Sequence, residues 1–123
     1  MDITKETNDT ESLDSAFDFA NAMYSYNLAK DNIKLKIANR LVYSVNGGTF
    51  SVTTEFLNFL CFALQHGEDS TIMLDNNKNP ILIPDVEESL DKAKTIYNTV
   101  MAQAYEELKQ LESSRNIKQV FDK

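Results

Sequence analysis

The chain has 123 residues, 42% of them hydrophobic and 25% charged, with a net charge of −7 and a single cysteine. That length supports one compact domain whose core needs no disulfide or metal, and the acidic balance opposes nucleic acid and anionic lipid at long range unless a local basic patch intervenes. No apolar run approaches the ~18 residues of a membrane helix, and the polar opening MDITKETNDTESLD is neither a signal nor a transit peptide, so the reading is a soluble, cytoplasmic protein with no membrane partner.

Residues 1–11 are charged and poor in aromatics, the composition of a disordered tail; residues 12–123 read as a single helical domain. From Ser12 onward, Leu13, Phe17, Ala20, Tyr24 and Leu28 recur at helical spacing, which predicts a packing face. Thr10 or Ser12 is placed to cap it. The run KDNIKLKIANR, residues 30–40, poses a choice. Its apolar and basic residues alternate as in a strand, but Ile33, Ile37 and Leu41 also stack at i, i+4, i+8, flanked by Ala38, Val42 and Val45. Helix is favoured, with Leu35 left partly exposed. The five-residue step from Leu28 to Ile33 rotates the stripe, and Asp31 offers a fresh cap, so a break near Lys30–Asn32 is allowed.

Asn46-Gly47-Gly48 ends this segment, since Asn and Gly tolerate positive φ. A short strand follows at Thr49–Val52. Thr53 or Thr54 then caps a helix over 55–65 whose Phe56, Leu57, Phe59, Leu60, Phe62, Ala63 and Leu64 make it apolar nearly all round, and Gly67 ends it. Thr71–Leu74 and Ile81–Ile83 flank Asp75-Asn76-Asn77-Lys78-Asn79-Pro80, a β-hairpin near 71–83. Asp85 and Glu88 form a capping box. Val86, Leu90, Ala93, Tyr97, Val100, Ala104, Leu108 and Leu111 then predict a helix of about 27 residues, close to 40 Å, weakened at Ser113-Ser114, with one more amphipathic turn at Ile117, Val120 and Phe121. The expected fold is mainly α (α+β): two long antiparallel helices with a small cap of one short apolar helix and a β-hairpin.

Motifs for catalysis are weak. Cys61 lies in FLNFLCFALQ and reads as a small buried hydrophobe. His66, at a helix end beside Gly67, reads as a carbonyl cap favoured by the helix dipole. Zinc spacings, a P-loop and a dinucleotide fingerprint do not occur in the sequence. Asp75-x-Asn77-x-Asn79 begins like a calcium loop but has Pro80 and Val86 where glycine and glutamate are required. The seven acids and three bases between 85 and 112 alternate as on a solvated face. No cofactor or metal is expected, and an enzyme is disfavoured.

Two readings of function remain. The first is a non-enzymatic protein–protein interaction or oligomeric assembly module, in contact with itself or another protein through Phe56, Phe59, Phe62, Tyr97, Val100 and Leu108. The second is a nucleic-acid-binding accessory protein using Lys30, Lys34, Lys36 and Arg40 amid Tyr24, Tyr26 and Tyr43. It is less favoured, because the four charges split across two shoulders of the helix and offset the acidic last helix.

The segment SAFDFANAMYSYNLAKDNIKLKIANRLVYSVNGGTF, with a later long helix ending in SSRNIKQVFDK, resembles small uncharacterised proteins of tailed phages from marine environments. The resemblance covers most of the chain and carries no site residues. It implies a phage accessory protein in an infected bacterium, either a virion component or an assembly factor.

Overall fold

The computed structural model describes residues 3–121, with side chains described for residues 13–114. In chain order it contains α1 (Ile3–Arg40), β1 (Val42–Val45), β2 (Gly48–Ser51), α2 (Thr54–Gln65), β3 (Thr71–Leu74), β4 (Pro80–Ile83) and α3 (Val86–Phe121). The fold is mainly helical, with two small antiparallel sheets, β1–β2 and β3–β4.

KDNIKLKIANR is helical throughout, and α1 passes Lys30–Asn32 without a break. Thr10 and Ser12 lie within α1 and not at its start; their side chains, and those of the expected tail at 1–11, are outside the described set. The helix lies antiparallel to α3. Arg40 Nη1 donates to Gln103 Oε1 at 3.2 Å, Lys36 Nζ is 3.8 Å from Glu107, and Ala29, Asn32 and Ile33 share a groove with Gln110 and Leu111. Stepping back along α1 thus means stepping forward along α3. Ala104 and Val100 are buried, the alanine letting the helices approach closely.

The first helix ends earlier than its apolar stripe suggests. Val42 and Val45, expected to flank a helix, belong to β1, which pairs antiparallel with β2 from Val42↔Ser51 to Val45↔Gly48. The cause is the turn. Asn46 and Gly47 both have positive φ, 48° and 79°, the two-residue type I′ geometry whose twist matches flanking strands. β-branched and aromatic residues in VYSV then favour the extended form. The cap therefore contains two hairpins instead of the expected one.

α2 starts where its cap residue dictates: Thr53 Oγ1 accepts from Phe56 N–H at 3.0 Å. Only one face is buried, through Phe56, Leu60 and Ala63. Cys61, one helical step away, is exposed and not buried as expected. Gly67, at φ 76°, ends the helix in a Schellman motif, with Glu68 N–H on Ala63 O and Gly67 N–H on Leu64 O.

The second hairpin pairs Thr71↔Ile83 through Leu74↔Pro80. Its loop is organised by Asp75, a buried carboxylate that accepts backbone N–H groups from Asn79 (2.9 Å), Asn77 (3.0 Å) and, across to β2, Thr49 (3.3 Å). Asn76 N–H donates to Thr49 O, and Asn76 Oδ1 accepts from Ser51 N–H, so the two hairpins are tied together. The Asn79 N–H, then those of Thr49 and Asn77, hold the Asp75 carboxyl below its usual pKa, against the opposing effect of burial.

Asp85 caps α3, its Oδ1 accepting Glu88 N–H at 3.0 Å. α3 spans 36 residues, about 54 Å, and continues through Ser113-Ser114; Ile117, Val120 and Phe121 lie outside the residues with described side chains. The core gathers Tyr43, Phe50, Val52, Phe56, Leu60, Ala63, Ile83, Val86 and Ala93. Phe50 stacks on Phe56 at 5.3 Å, and Tyr43 Oη shares a buried 2.9 Å hydrogen bond with Ser89 Oγ.

Two outcomes test this packing. A Cβ at Gly48 would stand 2.5 Å from Ile81 Cγ1, so Gly48→Ala should cost about 1–3 kcal/mol. Adding Ile81→Ala should make the double variant less unstable than the sum of the singles, read by denaturant unfolding. Asp75 contributes stability while ionised, present above the ordinary carboxylate range and lost as pH falls through its lowered pKa. The melting-temperature gap between wild type and Asp75→Asn should therefore be clear at neutral pH and close in strong acid.

Candidate functional site

The residues with chemical potential are held in structural roles or stand apart. His66 caps α2: its Nδ1 lies 3.0 Å from Phe62 O, and its ring sits 4.1 Å from that of Phe62. A recess below α2 is lined by Leu64, Asp69, Pro84, Asp85 and Glu87, a set without His66 or Cys61. Among the described residues, no group of three or more His, Cys, Asp or Glu is placed to hold a metal ion. Nor is any helix among them long and apolar enough to cross a membrane.

The basic segment divides. Lys36 and Arg40 face α3, where both lie within 4 Å of Glu107. Lys30 Nζ sits 6.0 Å over the Tyr26 ring, and Lys34 is exposed. Tyr43 is in the core, away from any stacking role. The four cations thus line two sides of α1, one already supplied with a carboxylate.

The six apolar residues singled out from sequence also divide. Phe56 and Val100 are buried within the chain, and Tyr97 packs against the core, so these three hold the fold together. Leu108 is half-buried. Phe59 and Phe62 are exposed, because they lie to one flank of the α2 face that positions 56, 60 and 63 bury.

A run of outward apolar side chains lies on α1 and reverses a reading of its pattern. The half-buried residues Tyr26, Ala29, Lys30, Ile33 and Ile37 form the side toward α3. At 100° per residue, Leu13, Phe17, Tyr24, Leu28 and Leu35 fall within an arc of about 60° on the side directly opposite. These five are between 48% and 69% exposed. The stripe expected to be the packing face is therefore the outer face, and α1 carries two apolar stripes back to back. The five-residue step from Leu28 to Ile33 is the signal: it marks the passage from one stripe to the other. The β3–β4 hairpin adds a smaller outward patch of Ile72, Leu74 and Leu82, side chains that share one face because their positions alternate and pair in register.

Such a surface can bury apolar area against another macromolecule; it offers no convergent polar groups around a pocket. Comparison with models of protein families, with curated proteins and with solved structures finds no match for this chain.

Proposed function

We propose that this chain is a non-catalytic protein-interaction module, a helical hairpin whose cap supplies the stable core and whose first helix presents the contact surface. The observation that carries the reading is the outer stripe of α1, where Leu13, Phe17, Tyr24, Leu28 and Leu35 are all exposed along one side. Large apolar side chains gathered in one strip are uncommon on a solvated surface and mark sites of association. Phe59 and Phe62 on α2 extend the same kind of surface to the cap. The sharper form of the reading, an assembly or structural component of a tailed phage, rests on the sequence resemblance alone.

Photo-crosslinking tests the reading. A photoreactive residue placed at Phe17, Tyr24 or Phe62 should give protein adducts, either with the chain itself or with another protein, while one at Asp91 or Lys94 on the solvated side of α3 should not. Adducts at none of the apolar positions would overturn it. In light scattering at low salt, added single-stranded DNA or RNA should leave the mass unchanged. A salt-sensitive mass increase abolished by Lys30→Glu with Lys34→Glu would replace this reading with nucleic-acid binding.

A further inference from the structure

The turn between β1 and β2 joins an exposed asparagine to an exposed glycine, Asn46-Gly47, the sole Asn-Gly pair in the sequence. Asparagine is chemically labile, and most so before glycine, which has no Cβ to crowd the backbone nitrogen that attacks the side chain. A Cβ built on Gly47 would meet nothing within 4 Å, so the turn stands open to water. The Asn46 side chain nevertheless has a structural partner: its Nδ2 donates to Leu82 O in β4 at 2.8 Å. This bond fastens the tip of the first hairpin to the second, next to Gly48, which lies hard against Ile81.

We propose that Asn46 is a deamidation site that acts as a one-way release of the first hairpin's tip from β4. The reaction needs only water. The Gly47 nitrogen, its proton removed by base, bonds to Asn46 Cγ; the Cγ–Nδ2 bond breaks and that nitrogen leaves as ammonia. Water then opens the cyclic imide at either carbonyl, leaving an aspartyl or an isoaspartyl linkage. The closed fold opposes the first step in two ways. A type I′ turn sets ψ at Asn46 to about +30°, which turns the Gly47 nitrogen away from the side chain. The hydrogen bond to Leu82 O holds Cγ on the β4 side. An opened turn has neither restraint. Neither product restores the original contact. An ionised carboxylate only accepts hydrogen bonds, so it meets the Leu82 carbonyl oxygen as acceptor against acceptor. The isoaspartyl linkage also adds a backbone carbon to a two-residue turn, which disturbs the Val45↔Gly48 pairing and the seat of Gly48 against Ile81. The ties from Asp75 and Asn76 to β2 remain, so the tip loosens while the rest of the cap stays folded.

Peptide mapping by mass spectrometry tests the chemistry on the full chain, aged in mildly alkaline buffer with and without urea. Position 46 should deamidate in both, about tenfold or more slowly in the folded chain. Asn76→Ala, which removes the acceptor of Ser51 N–H at an exposed site, should raise the folded rate roughly two- to tenfold. Hydrogen exchange tests the release. Aspartate tolerates positive φ much as asparagine does, so Asn46→Asp keeps the turn and lacks only the donor. Its Gly48 amide should exchange roughly two- to tenfold faster than in wild type, with the amide of Leu60, in the core, unchanged. No deamidation at 46 even in urea would overturn the site. Equal rates in folded and unfolded chains, or an Asn76→Ala rate equal to that of wild type, would overturn the protection by the closed turn. Unchanged Gly48 exchange in Asn46→Asp would overturn the release.

Discussion

The architecture turns on how the surface of α3 is shared. Its first half, through Val86, Ser89 and Ala93, is the floor on which α2 and the hairpins close the core. Its second half, through Val100 and Ala104, receives α1. Both halves demand small or β-branched residues at the contact, since two layers must approach the helix without leaving voids. Once α3 is used in this way it can cover only one side of α1. An α1 with apolar residues on two sides must then leave one side open, and the exposed stripe follows directly from that shortage of partner surface.

The parts of the fold that were legible in the sequence are those specified by short-range chemistry. Thr53 starts α2, Gly67 stops it, Asp85 starts α3, and Asp75 to Pro80 turn the second hairpin; each device acts within a few residues of itself and needs no knowledge of the rest. The first hairpin was hidden because two local signals overlapped. The spacing of Ile33, Ile37 and Leu41 continues as a helix into Val42 and Val45, while Asn46-Gly47 asks for strands on both sides. The turn prevails because a type I′ geometry matches the twist of extended neighbours, and the hairpin it forms pairs Tyr43 with Phe50 and places both in the core.

The candidate site is legible in the sequence as a pattern but not as a direction. Periodicity shows that Leu13, Phe17, Tyr24 and Leu28 share a side of a helix; it does not show what lies against that side. The tertiary fact that decides it, the angular position of α3 around α1, is set by Ile33 and Ile37 further along. The same limit applies to α2. Its composition is apolar all round, so sequence could not separate Phe56, which is core, from Phe59 and Phe62, which are surface. The same apolar run points Cys61 to the interior, whereas it is exposed.

The junction between α1 and β1 carries a mechanical consequence. A single residue, Leu41, separates the helix from the strand, and it is pinned on both sides, its N–H donating to Ile37 O and its carbonyl accepting from Val52 N–H. A joint that short and that fully bonded has little freedom to hinge. The 38-residue helix, about 57 Å long, is therefore fixed to the cap as a rigid lever. Load applied near Phe17 acts with a long arm on the cap, as a torque borne by the β1–β2 ladder and the α1–α3 seam together.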